Sequence, residues 1–419
     1  MYSLVGGQGD TDNASFNIVG NQILIATSPD FEIKSFYNIR LQTIDKGGLS
    51  FSKAFTISIN NLALPPIPEL SIWQENMKVF GKAAAERLEN SSDFDQSLRN
   101  VYYDGALVFS QIAKYTGDNS WYSYADLANN VNKQYIADEK GRTQGFRNFS
   151  RGLEDHYYRT GDPTDREAIA LLATSASYTA YSTSIDPLND PTRYENLSRE
   201  AAFGISTLLS AKQVGLFEEN DRYFLDLFRD QNGNFISNGA VSEKDADIGN
   251  KLKYRLKDLV SFAYGHLDQW FVVENPTDPN FHVKPFMVGL TVKSLIEYAE
   301  ETGNEAQLIA VLPKMLTEMW NEAWGDGNPL TTDAPQDYAF RYIDRDLTPN
   351  SVFDGKDLNL LIAPAYEWVY SKTGNEWFRE RADEIFAKGV LNGYLGDNKQ
   401  FNQSYFWSFD YVEGRQVEL

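Results

Sequence analysis

The 419-residue chain contains no cysteine. Disulfides, thiolate metal sites and a cysteine nucleophile are thereby excluded. Histidine is scarce as well: His156, His266 and His282 are the only three, so any step that needs an imidazole must draw on one of them. Basic residues are outnumbered, with 38 Lys and Arg against 59 Asp and Glu, giving a net charge of −21. Such a surface repels nucleic acid and anionic membrane alike, and neither is the expected general partner. No apolar run reaches the length that spans a bilayer. The opening residues MYSLVGGQGD lack the charged and apolar regions of a secretion signal. Also missing are a Gly-rich phosphate loop, a nucleophile elbow and a His-x-x-x-His metal pair.

What is present is an ordinary globular composition, 42% hydrophobic, in a chain long enough for more than one core. With 24 Tyr, 26 Phe and 8 Trp, aromatics are plentiful enough for a large core or for a cleft that stacks on sugars. The stretch FHVKPFMVGLTVKSLIEYAEETGN, residues 281–304, sets the pattern. Pro285 suits a first helical turn, and Gly303-Asn304 suits a left-handed stop, so a helix is predicted over 285–302. Val288, Val292, Leu295, Ile296 and Ala299 form one apolar stripe, and Phe286, Met287 and Leu290 cover another side. The Thr-Gly-Asn mark after it recurs as Thr116-Gly117-Asp118, Thr160-Gly161-Asp162 and Thr373-Gly374-Asn375. Each closes one apolar helical stretch and opens another, which predicts repeated helix, tight turn, helix units of the length common in paired-helix arrays.

Residues 1–62 read differently. Phe16–Val19, Gln22–Ala26, Phe36–Thr43 and Ala54–Ile59 are short β-branched and aromatic runs separated by turn signals such as Gly20-Asn21 and Asp45-Lys46-Gly47-Gly48. The proline-rich stretch 63–70 is a stiff linker, and 71–419 is helical. Segments are expected near 72–90, 99–116, 119–136, 149–160, 163–182, 193–213, 250–273, 285–302, 304–323, 358–373 and 375–391. Phe228–Ser237 reads as a hairpin around Asn232-Gly233. The connections 137–148, 183–192, 274–284 and 324–357 are long, whereas the Thr-Gly junctions are short, so loops gather at one end of the array.

Two resemblances follow. The run SPDFEIKSFYNIRLQTIDKGGLSFSKAFTISINN resembles the later part of a bacterial cadherin-like repeat, lacking its first strands and its closing acidic calcium motif. Glu32 and Asp45 match that family's calcium positions; solvated turn acids are the competing reading. Residues 71–415 resemble the (α/α) toroid shared by six-hairpin glycosidases and several polysaccharide lyases. The resulting fold is mainly α, a toroid of about six helical hairpins behind a small partial β-sandwich. The resemblance implies a carbohydrate cleft at the loop-bearing ends of the inner helices.

That layout nominates Tyr102, Tyr103, Asp104, Arg147, Asn148, Arg151, His282, Lys284 and Asp357. Trp324, Tyr342, Tyr405 and Trp407 are the aromatics expected around the cleft. β-Elimination on an acidic polysaccharide needs a base, an acid for the leaving oxygen and cations against the carboxylate. His282, Tyr102 or Tyr103, and Arg147 with Asn148 supply those types. Hydrolysis by the pair Asp104 and Asp357 is the alternative, and a non-catalytic glycan-binding or adhesion module is a third reading. Arg147 and Arg151 also have local acids, Glu154 and Asp155, to pair with, and His266 in AYGHLDQW reads as a packing residue. An extracellular or cell-surface location, a polysaccharide partner, and no cofactor beyond a structural calcium complete the expectations.

Overall fold

The computed structural model describes residues 2–19, 22–26, 33–45, 47–59, 65–176, 194–216, 256–267, 270–271, 282–325, 338–344 and 355–416. The expected hairpin at 228–237 and Glu32 lie outside them. The chain forms two compact units, Met1–Pro66 and Ile67–Leu419, dividing inside the proline-rich stretch.

The first unit is β. Strands β1 (Tyr2–Leu4), β4 (Phe36–Ile44) and β5 (Ser50–Ser58) form one antiparallel sheet in the order β1-β4-β5; β2 (Phe16–Val19) and β3 (Gln22–Ile25) form a second. β5 begins at Ser50 rather than Ala54 because its register with β4 runs through to the turn, Ile44 opposite Ser50. Asp45 makes that turn: its carboxylate accepts the N–H groups of Gly47 at 2.8 Å and Leu49 at 2.9 Å, the local hydrogen bonding that favours Asp in turns. Among the described residues of this unit, Phe16 and Ile39 are the buried apolar ones.

The second unit is helical. Its helices are α1 (Leu70–Glu89), α2 (Phe94–Asn100), α3 (Gly105–Thr116), α4 (Trp121–Asp138), α5 (Arg151–Thr160), α6 (Pro163–Ser175) and α7 (Tyr194–Gln213). They continue with α8 (Leu256–Leu267), α9 (Pro285–Thr302), α10 (Glu305–Ala323), α11 (Ala363–Thr373), α12 (Glu376–Asn392), α13 (Asn398–Tyr405) and α14 (Ser408–Gly414).

The threonine and glycine of the Thr-Gly-Asp/Asn mark do the same thing in each copy, and the third residue caps the next helix in two of the four. The threonine hydroxyl bonds back to the carbonyl four residues earlier, as in Thr116 to Ile112 at 2.7 Å and Thr302 to Tyr298 at 2.7 Å. Gly117, Gly161, Gly303 and Gly374 take φ values of 70°, 73°, 66° and 65°, the left-handed stop that a side chain resists. Asp162 and Asn375 then cap the next helix by accepting the N–H of Thr164 and Trp377.

One expected helix is broken. The stretch 99–116 divides at Val101–Asp104, where Tyr103 and Asp104 both adopt positive φ. Likewise Lys356–Leu361 is a 3₁₀ turn ahead of α11 rather than its first turn.

The first helices of successive pairs, α3, α5, α7, α9 and α11, each pack on the next; α14 packs on α11, and α13 packs on α14 and α3, so the succession returns to its start. The second helices α4, α6, α8, α10 and α12 lie against their partners, and α1 fills the place between α12 and α4. Trp73 of α1 is fully buried, with the rings of Tyr115, Tyr405 and Phe409 5.0–5.3 Å away. It joins the first helix of the unit to the last.

Candidate functional site

The turn between α2 and α3 carries consecutive strain. Tyr103 (φ 62°) and Asp104 (φ 49°) are non-glycine residues in the left-handed region, which costs roughly 1–3 kcal/mol each and persists only where the surroundings enforce it. Here they do. The Asn402 side chain donates to the carbonyls of Asn100 (3.0 Å) and Tyr102 (2.8 Å). The Asp104 carboxylate accepts from the N–H of Gly152 at 3.0 Å and of Leu107 at 3.3 Å. Gly152 must be glycine, because a Cβ there would lie 2.5 Å from Asp104 Oδ1. Burial pushes the Asp104 carboxyl up to about 6, against the pull of those two N–H groups.

This turn sets two tyrosines among cations. Tyr102 and Tyr103 meet edge to face at 4.9 Å. The Arg147 guanidinium lies 4.8 Å from the Tyr102 ring centre, and Arg199, near the start of α7, lies 5.3 Å from the Phe146 ring centre. Arg199 pairs with Glu200 at 2.7 Å and acts electrostatically on Tyr103. Burial raises both phenols above their ordinary range, opposed by Arg199 and, for Tyr102, by Arg147; both hold their protons at neutral pH. Tyr342 acts electrostatically on the two tyrosines, stacks on Phe286 at 5.2 Å and has the Lys284 ammonium 6.0 Å from its ring centre. Beside Tyr102 opens a cavity of about 520 Å³ whose charged lining residues are Arg99, Arg147 and Lys399 against the single acid Asp397, with Phe146 as a further apolar wall. No protein-family profile, curated protein or solved structure matches the chain. Function therefore has to be sought in the chemistry of these side chains.

Of the residues nominated by sequence, Tyr102, Tyr103, Arg147, Tyr342 and Lys284 fall in this one region. His282, two residues before Lys284, is half-buried. Asn148 is buried and its side-chain oxygen accepts the Thr143 hydroxyl at 2.5 Å, so it orders the loop behind Arg147. Asp104 caps α3, and Asp357 accepts the Tyr394 N–H at 2.6 Å.

Other nominations need correction. Arg151 does not join Arg147 as a carboxylate clamp: Arg147 precedes α5 and donates to the Leu98 carbonyl, whereas Arg151 is paired with Glu154 at 2.7 Å and Glu297 at 2.8 Å. Tyr405 and Trp407 do not line a cleft at the head of the inner helices. Both are 1% exposed: the Tyr405 hydroxyl donates to the Trp73 carbonyl, in the core that holds α1, and Trp407 borders a different cavity, along α11 and α14. Trp324 stacks on Trp320 at 4.5 Å and lies edge-on to Phe340. His266 packs between Phe262 and Trp270, and burial depresses it to about 3, leaving it neutral.

Arg199 and Glu200 were not nominated, although they sit near the start of a first helix like the residues that were. Glu200 is 7% exposed and its Oε2 has no hydrogen-bond partner. Among the described residues, metal-ligating atoms gather once, at His156, Asp162 and Asp165, all within 4.8 Å of one another. There the Lys133 ammonium, 2.9 Å from Asp162 and 3.3 Å from Asp165, already supplies the positive charge.

Proposed function

We propose that the helical unit is an (α/α) toroid of helical hairpins, and that it cleaves an acidic polysaccharide by β-elimination outside the cell or at its surface. The observation that carries this reading is the strained Tyr103-Asp104 turn, which sets Tyr102 and Tyr103 against the guanidinium groups of Arg147 and Arg199. A toroid accounts for a succession of first helices that closes on itself, and for a site built where those helices begin. The β unit, with its Asp45 turn and long β4-β5 hairpin, suits the cadherin-like resemblance and a role in attachment.

A uronate carboxylate in the cationic cavity would be neutralised by Arg147, with Arg99 and Lys399 on the same lining, which acidifies the proton α to it. His282 takes that proton. Its electron pair forms the new C=C bond as the bond from the β-carbon to the glycosidic oxygen breaks, and that oxygen takes a proton from Tyr102, which is held protonated by burial. Hydrolysis by Asp104 and Asp357 is the weaker reading, because both carboxylates already serve backbone N–H groups.

Incubation with a panel of uronate-containing polysaccharides tests this. Ultraviolet absorbance from an unsaturated uronide supports elimination; reducing ends without that absorbance establish hydrolysis instead. Saturable binding with no product identifies a glycan-binding module.

A further inference from the structure

A second cavity, of about 710 Å³, lies along α11 and α14, and its lining is acidic: Glu300, Glu367, Asp410 and Glu413 against the single cation Lys372. Glu300 comes from the last turns of α9, Glu367, Trp368 and Lys372 from α11, and Asp410 and Glu413 from α14. Glu367 is the telling residue. It is 5% exposed, its Oε1 has no hydrogen-bond partner, and its carboxylate presses on Gly414, where a Cβ would sit 2.2 Å from Oε2. A buried carboxyl without a partner is costly, so a donor entering the cavity would relieve it.

The opposite wall shows what kind of donor fits. The Trp368 indole N–H donates to Glu300 at 2.8 Å, fixing an aromatic face beside a carboxylate. The Lys372 ammonium sits 3.6 Å from Glu300 and 5.4 Å from the Trp368 ring centre. An alkylammonium group over an indole face and against a carboxylate is thus already present, made by the chain itself. Adjoining this space is another cavity, of about 650 Å³, which shares Glu300 and Asp410 and adds Glu154, Asp155, Glu297 and Glu301 against Lys114, Arg151 and Lys293, so acids still outnumber cations. The acidic path is therefore elongated. A metal ion suits it less, because its carboxylates are not among the metal-ligating atoms that gather within 4.8 Å of one another.

We propose that this cavity binds a linear organic polyamine, with one ammonium group on Glu367 and Asp410 and the next further along the acidic path. The inference is independent of the polysaccharide reading, since the two sites share no lining residue. Burial pushes the Glu367 carboxyl up to about 8, with Asp410 and Asp383 adding to the rise and Arg415 and Lys372 opposing it; the Glu413 carboxylate also lines the cavity. Seating an ammonium group there ionises Glu367 and releases a proton.

Calorimetric titration of the full chain with spermidine, in two buffers of different ionisation enthalpy at neutral pH, tests the proposal. The expected result is saturable binding with proton release. Glu367→Gln should weaken it by about tenfold or more without lowering the unfolding temperature, whereas Glu380→Gln, an exposed charge outside the cavity, should leave it unchanged. Absence of saturable heat, wild-type affinity in Glu367→Gln, equal weakening in Glu380→Gln, or binding of calcium chloride in place of spermidine would each overturn it.

Discussion

Replacing Glu297 with leucine should unsettle the helical unit in a way that can be worked out beforehand. Glu297 lies midway along α9 and accepts from Arg151 at 2.8 Å, Ser206 at 3.0 Å and Lys293. Burial opposes its charge, but the Arg151 and Lys293 cations outweigh that and hold its carboxyl down at about 2. Removing one partner of a buried ion network costs roughly 3–5 kcal/mol, because the remaining charges stay buried without compensation. Arg151 keeps Glu154, so about 3 kcal/mol, the lower end, applies. At about 2.1 cal/mol/K per residue, a unit of roughly 350 residues unfolds with an entropy of about 0.7 kcal/mol/K, and the melting temperature should fall by about 4 K. The pH dependence has a definite sign. A carboxyl depressed from 4.5 to about 2 on folding contributes fully above pH 4.5 and loses its contribution as pH falls toward 2. The gap between wild type and Glu297→Leu should therefore be constant above pH 5 and narrow by about 1.4 kcal/mol per unit below 4.5. The double variant Lys293→Met with Glu297→Leu should lose less than the single change, since it removes one charge of each sign. Differential scanning calorimetry from pH 3.5 to 8 measures all three. A fall of less than about 1 K, or a gap that widens on acidification, would refute the reasoning.

Three other outcomes are expected. Gly152→Ala should be far more damaging than Gly303→Ala by chemical denaturation, because the first drives a Cβ into Asp104 and Ala106 while the second meets nothing within 4 Å and costs only about 1 kcal/mol for its positive φ. His282→Ala should lower turnover on a uronate polysaccharide by a factor of about 10² to 10⁴, the usual worth of a positioned base; Arg147→Ala should raise KM as well, and a mild effect of both would remove the elimination assignment. A chain starting at Ile67 should keep the helical circular dichroism and thermal transition of the full protein, since the compact units divide there; loss of the transition would show that they fold as one.

The sequence was most legible where a single residue has only one backbone solution. Pro285 and Gly303 bound α9 at the residues expected of them, and each Thr-Gly-Asp/Asn mark proved to be a stop and a start. Legibility failed where distant groups override local preference. Nothing in Val101–Gly105 announces two left-handed non-glycine residues; Asn402, some 300 residues further along, and Gly152 impose them. Aromatic residues misled for the related reason that a ring suited to stacking on a sugar is equally suited to a core. Tyr405 went to the core, where its ring lies 5.3 Å from that of Trp73 of α1.

Charge shows the same limit from the other direction. A net −21 argues against anionic partners only if the charge is evenly spread, and folding does not spread it evenly. Helix α9 was read from its apolar stripe, Val288 to Ala299, yet Lys293 and Glu297, four apart on another face, are drawn inward as well. Lys293 is 8% exposed, which is tolerable only because Glu297 on its own helix and Asp410 from α14 face it. Acids gather in this way on the later turns of α9, on α11 and on α14, while Arg99, Arg147, Lys399 and Arg199 collect about Tyr102. Among the described residues an acidic chain thereby presents a pocket lined by more cations than acids, and the local potential there opposes the sign of the bulk charge.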